Sequence, residues 1–254
     1  MDTTATTPPA PAAPLVLVPG HWLGAWAWDE VVEDLRSRGL TAHPVTLPGA
    51  DPADPDRARR TPADQAEALL TAVERAAADA GPVVLVAHSG ANHPATVVLD
   101  RRPDLVARVV WVDSGPVADG AVFAPDLAGD GDGDGLPLPP LDVLGEQASL
   151  DGLDDAVLTR FRERAVAVPD AVLRDPVRLT DPARRDVPAT FVCCSLPAEQ
   201  VRALADAGHP IMAEVATLAD VTWVDLPTGH WPMWSRPADL AATLADAAGN
   251  ATHT

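Results

Sequence analysis

Apolar residues in this chain fall into short unbroken runs separated by segments with helical spacing. Leu15-Val16-Leu17-Val18 ends at Pro19-Gly20, and Val83-Val84-Leu85-Val86 follows Gly81-Pro82. Runs of this length without polar alternation predict strands buried on both faces. Further strands are expected over 41–47, 109–112, 190–193 and 221–225. Between them, Val31, Val32 and Leu35 recur on one face of a helix predicted over 29–38, which Gly39 closes. Thr61-Pro62 reads as an N-cap followed by the first helical residue, opening an Ala-rich helix to residue 80 with Leu69, Leu70 and Val73 on one side. A third helix is expected over 90–102. Strands alternating with helices predict an α/β architecture, a mostly parallel sheet of about six strands flanked by helices.

Residues 115–186 break that rhythm with a Gly/Asp/Pro-rich loop and a helical pattern at 154–167, which predicts a small helical cap inserted into the sheet order. The expected organisation is a disordered Thr/Ala/Pro-rich leader over 1–14, then one domain over 15–254, with its core at 15–114 and 187–254. A chain of 254 residues with 47% hydrophobic content is long enough for one substantial core. The run from Asp130 to Gly135 resembles the start of a calcium loop, but Leu141 stands where the bidentate Glu is required, so a flexible acidic loop is the better reading.

A formal net charge of -19 opposes binding to nucleic acid or anionic membranes, and the expected partner is a small-molecule substrate. Oligomeric state is not legible. All 18 basic residues are Arg, and Tyr is absent. Without lysine there is no Schiff-base chemistry, pyridoxal phosphate anchor, P-loop lysine or Ser-Lys dyad, and a Tyr-Lys dehydrogenase pair is excluded too. No metal or organic cofactor is called for. Cys193 and Cys194 are adjacent in a strand and point to opposite faces, badly placed to bridge. With no signal peptide or long apolar segment recognisable, the expected location is cytoplasmic.

Candidate chemistry gathers at the predicted strand ends. Ser89 lies between a buried strand and a helix in Ala87-His88-Ser89-Gly90-Ala91, a nucleophile elbow with alanine where glycine is usual on both sides. The competing reading makes Ser89 a plain helix cap. His88 and His93 are read as packing residues. His230 follows the last strand in Thr228-Gly229-His230-Trp231, where an imidazole can take the serine proton and return it to a leaving group. The turn after the first strand, Gly20 to Trp28, is expected to supply one oxyanion donor, the His21 amide, with the Gly90 amide as the second. The His21 side chain either contacts substrate or is an exposed loop imidazole. Trp22 and Trp231 are candidates for an apolar substrate wall, with simple packing as the alternative.

These three segments resemble the α/β-hydrolase superfamily, and within it small esterases of the methylesterase and hydroxynitrile-lyase-like group that carry a Gly-x-x-x-Gly-x-Trp-x-Trp segment. The resemblance runs over most of 15–247 and is weakest in the cap. It implies a Ser-His-acid triad acting on a carboxylic ester or lactone through an acyl-enzyme. Hydroxynitrile lyases of this type also need a lysine, which disfavours that activity. Members usually carry the acid after the strand predicted at 190–193, where this chain has Ser195-Leu196-Pro197-Ala198 and no carboxylate before Glu199. The acid expected here is Asp113, at the end of the preceding strand, as in some superfamily members, with a helix cap or turn former in Asp113-Ser114-Gly115 as the competing reading; Glu199 is the runner-up, and Asp225 is a candidate for a local hydrogen-bonding role. A non-hydrolytic cyclase or lyase step, or a fold member that binds without catalysis, stays open as an alternative.

Overall fold

A computed structural model describes residues 12–124 and 135–251. Six parallel strands form one sheet: β1 (Leu15–Val18), β2 (Ala42–Pro44), β3 (Val83–His88), β4 (Val106–Val112), β5 (Ala189–Cys193) and β6 (Val221–Asp225), in the order β2-β1-β3-β4-β5-β6. The apolar runs occupy the centre of this sheet. Every residue of β1, β3 and β5 is buried.

Helices cover both faces, and side-chain alternation along the strands sorts the core into two layers. Leu15, Leu17, Val84, Val86, Val110 and Val112 face α1 (Asp29–Ser37) and α9 (Pro237–Asn250). Their neighbours Val16, Val18, Leu85, Val109 and Trp111 face α2 (Pro62–Ala80), α3 (Asn92–Arg101) and α7 (Ala198–Asp206). Cys193 and Cys194 are both free and buried, one in each layer. The start of α2 is a full capping box: Thr61 accepts from the Asp64 amide while the Asp64 carboxylate accepts from the Thr61 amide, worth about 1 kcal/mol.

Several boundaries differ from the expectation. The strand predicted over 41–47 is only three residues long, an edge strand paired with β1 alone, where Pro44 is tolerated because its missing N–H removes no bond to that neighbour; the Val45 amide still donates to the Leu17 carbonyl. The helix expected from residue 90 begins at Asn92, after a tight 3-10 turn over Ser89–Ala91. Ala13 and Pro14, assigned to the leader, are already buried against the sheet, and the Pro14 carbonyl accepts from the Val84 amide. Residues 1–11 and the calcium-like run 130–134 lie outside the described residues.

Between β4 and β5 the chain forms α4 (Leu141–Gln147), α5 (Asp155–Arg164) and α6 (Asp170–Arg174). Phe161 of α5 is fully buried, edge-on to Trp231 and Trp234, and so locks this segment to α8 (Pro232–Ser235). The Ser149 and Asp151 carbonyls accept from the His230 and Gly229 amides. The inserted segment thereby holds the loop that carries His230.

Candidate active site

The site is built at the C-terminal ends of β1, β3, β4 and β6, where a doubly wound parallel sheet opens a crevice. Among the described residues the only non-glycine positions with positive φ are Trp22 (64°), Ser89 (51°) and Asp113 (45°), all three at this end. Such backbone costs of order 1–3 kcal/mol each and persists only where the surroundings dictate it. At Ser89 the dictating geometry is the turn from β3 into the 3-10 segment. Ala87 and Ala91 are buried there, so methyl groups are tolerated in place of glycine hydrogens. Gly20 cannot be replaced so easily: a Cβ on it would lie 2.7 Å from the Ser89 Cβ.

Ser89 and His230 are brought together, with Ser89 Oγ 2.8 Å from His230 Nε2. His230 Nδ1 lies 2.6 Å from Asp113 Oδ2. Asp113 is held from the end of β5: its Oδ1 accepts from the Cys194 amide at 3.1 Å and the Ser195 amide at 2.9 Å, and its Oδ2 accepts from the Ser195 hydroxyl at 2.6 Å. Burial disfavours the Asp113 carboxylate, but the His230 bond, attraction to that ring and the Ser195 bonds outweigh it and hold its pKa below the ordinary aspartate range. Ser195 thus occupies the place where a carboxylate was sought and serves the carboxylate of the neighbouring strand.

Glu199 and Asp225 lie elsewhere. Glu199 is exposed on the first turn of α7, and Asp225 accepts from the Ala198 amide at 2.7 Å, capping that helix. The local role weighed for Asp225 is therefore toward α7, with His230 bonded to Asp113. His88 is a connector: its Nδ1 accepts from the Gly20 amide at 3.3 Å and its Nε2 donates to the His230 carbonyl at 2.8 Å, joining the turn after β1 to the His230 loop. Nothing in the sequence distinguished this from ordinary packing. Ser114 Oγ donates to the Ser89 carbonyl at 2.8 Å, a contact that the Asp113-Ser114-Gly115 turn signal alone does not foretell.

A cavity of about 900 Å³ opens over Ser89 and is bordered by Trp22, Phe123, Leu136, Phe191 and Met212 among other apolar residues. Trp22 Nε1 donates to the Leu136 carbonyl, tying the turn after β1 to the inserted segment. Trp231 borders the cavity too, yet at 2% exposure it belongs chiefly to the core. No arginine is among the described residues that line the cavity. The Gly90 amide lies in the first turn of the 3-10 segment, where N–H groups have no partner within the helix. The His21 amide belongs to the turn after β1.

Three histidines beside this cleft are held neutral. Burial, then the nearby His230 ring, lowers His88 to about 3; burial, then His93, lowers His21 to about 3; burial lowers His93 to about 4. His21 borders the cavity and keeps some contact with solvent, so His88 has the firmest depression. A histidine depressed in the folded state stabilises fully above its unfolded value of 6.5 and loses that contribution as pH falls toward the folded value. Each such group costs roughly 1.4 kcal/mol per pH unit in this window. The urea midpoint is therefore expected to drop steeply between pH 6.5 and pH 4.5, and His88→Gln to flatten that slope. A midpoint independent of pH across this range would contradict the assignment.

Among the described residues no group of three or more His, Cys, Asp or Glu is arranged to hold a metal ion, and no helix is long and apolar enough to cross a membrane.

A family model described as the alpha/beta hydrolase family matches residues 15–243. Esterase PIR7B of rice, Oryza sativa subsp. japonica, is 39% identical over 99 residues, covering 38% of this chain and 37% of the relative. Methylesterase 7 of Arabidopsis thaliana is 32% identical over 115 residues, 44% of this chain and 41% of the relative. The matches thus span about two fifths of the length of these curated relatives. Among solved structures, an extracellular α/β-hydrolase from a Paenibacillus species, which shares structural and functional homology with tobacco salicylic acid binding protein 2, superposes with a TM-score of 0.71 at 17% identity, covering 93% of this chain and 99% of that one. The six-stranded parallel sheet flanked by helices is the fold these likenesses share, and with a family match over nine tenths of its length the chain belongs to the alpha/beta hydrolase family.

Proposed function

We propose that this protein is a serine ester hydrolase with Ser89 as nucleophile, His230 as general base and acid, and Asp113 as the residue that orients His230. The observation that carries the reading is the continuous hydrogen-bonded chain from Ser89 Oγ through both His230 nitrogens to Asp113, at the floor of the cavity. With Nδ1–H donated to the carboxylate, Nε2 presents its lone pair to the serine hydroxyl. As Oγ attacks an ester carbonyl, its proton passes to Nε2 and the charge on the carbonyl oxygen is met by the His21 and Gly90 amides. The imidazolium, stabilised by Asp113, then protonates the leaving alcohol. Water repeats the sequence on the acyl-enzyme and releases the acid.

The esterase and methylesterase relatives support this chemistry. The apolar lining without arginine favours an uncharged carboxylic ester or lactone of moderate size. The inserted helices between β4 and β5 serve as the cap over that substrate. Two readouts test the proposal. A fluorophosphonate probe is expected to label the folded protein once, on the peptide bearing Ser89, and turnover of a p-nitrophenyl ester in ¹⁸O-water is expected to place the label in the product acid. Isotope in the p-nitrophenol and none in the acid would mean aryl–oxygen cleavage and rule out an acyl-enzyme, and a protein inert to the probe would be a binder that has kept the fold.

A further inference from the structure

The imidazole of His21 has no part in the chain from Ser89 to Asp113, yet it stands at the reacting centre. A Cβ built on Gly90 would lie 2.3 Å from His21 Nε2 and 2.4 Å from its Cδ2. The ring therefore fills the space that any side chain at residue 90 would need, directly over the residue whose amide is assigned to the oxyanion hole. Glycine at 90 and histidine at 21 are two halves of one arrangement.

The ring is also held. Phe123 packs against it with centroids 4.1 Å apart, and Trp22, fixed by its own bond to Leu136, meets it edge-on at 6.1 Å. It borders the cavity, and among the described residues no hydrogen bond occupies either of its nitrogens. A neutral imidazole always carries one N–H, and with no partner to fix the tautomer that proton is free to sit on Nε2. A neutral donor suits a developing alkoxide, because it stabilises charge without surrendering its proton to a weaker base.

Resting on the ester hydrolase reading above, we propose that the His21 side chain is a catalytic residue: its Nε2–H donates a third hydrogen bond to the oxyanion formed when Ser89 attacks an ester carbonyl, beside the amides of His21 and Gly90. The ligand group is the carbonyl oxygen common to carboxylic esters and lactones, so the contribution is the same whatever the acyl chain.

The test compares p-nitrophenyl acetate and butyrate turnover by wild type, His21→Phe, His21→Gln and Ser89→Ala, with folding followed by circular dichroism. His21→Phe keeps a ring over Gly90 and removes the donor; its kcat is expected to fall on the order of 10²-fold with KM nearly unchanged, equally for both esters. His21→Gln restores an N–H donor and is expected to recover much of that loss. His21→Phe within threefold of wild type, His21→Gln as impaired as His21→Phe, or a loss confined to KM or to one ester would each overturn the assignment and leave His21 a packing residue. Should His21→Phe fail to fold, His21→Ala takes its place with the same expected loss. Equal turnover by wild type and Ser89→Ala would instead overturn the hydrolase reading itself.

Discussion

Ser89→Ala is expected to lower ester turnover by about 10⁶-fold, the scale set by nucleophile removal in serine hydrolases, while leaving the circular dichroism spectrum unchanged. The fold is spared because Ser89 contributes one hydroxyl hydrogen bond at a position where the backbone is already dictated by its neighbours. The loss is large because no other side chain can take over. Ser114 Oγ donates to the Ser89 carbonyl and Ser195 Oγ donates to Asp113, so neither points its oxygen at a substrate under the control of His230. Cys193 borders the cavity, but burial, then Asp225 and Asp113, push its thiol up to about 12, leaving almost no thiolate at neutral pH. Steady-state rates on p-nitrophenyl acetate, with the residual rate titrated by a fluorophosphonate to exclude contaminants, give the answer. Activity above about a hundredth of wild type would remove Ser89 from the mechanism.

The second large effect is expected from Asp113→Asn, a drop of about 10⁴-fold in kcat. The four hydrogen bonds on this carboxylate make the argument specific to the site. Its Oδ1 accepts from two backbone amides and its Oδ2 accepts from the Ser195 hydroxyl and from His230 Nδ1. An asparagine has only one acceptor oxygen to share between those two sides. If its NH₂ faces the amides of Cys194 and Ser195, donors meet donors in a buried site. If instead the NH₂ faces His230, it selects the tautomer with the proton on Nε2, and the ring can no longer accept from Ser89. Glu199→Gln, on the exposed first turn of α7, is expected to stay within twofold of wild type. Asp113→Asn with more than a tenth of wild-type activity would return the search for the acid to other carboxylates.

Much of this arrangement was legible in the order of residues because it depends on local signals. A doubly buried strand needs an unbroken apolar run, so β1 and β3 are written in composition alone; the edge strands β2, with Pro44 inside it, and β6, only partly buried, carry weaker signals. Ser89 and His230 stood out since strand-to-helix and strand-to-loop junctions have their own spacing. Asp113 stands out as a candidate by its place at a strand end, although the bonds that distinguish its surroundings from those of Glu199 come from Cys194 and Ser195, more than eighty residues away in sequence. The connecting role of His88, the grip of Ser149 and Asp151 on the His230 loop, and the seating of His21 over Gly90 are all contacts between distant segments. None leaves a periodicity or spacing in the chain. Trp231 shows the same limit from the other side: an aromatic beside a catalytic-looking loop reads as substrate wall or as packing, and that its ring both borders the cavity and is buried against Phe161 is a matter of tertiary contacts.

The strand order has a consequence for how the molecule comes into being. β1 leaves the ribosome before the other five strands yet lies inside the finished sheet, and its partner β3 begins more than sixty residues later. Until then Leu15–Val18 has only the three-residue β2 beside it and cannot be covered on its open side. β4 waits in turn for β5 until the whole inserted segment between them has been made. Parallel pairings at such separation close slowly and leave apolar edges open during synthesis. The nascent chain, more than the finished one, is where this protein is vulnerable to aggregation. A host that slows translation or supplies chaperones gives each strand time to meet its partner.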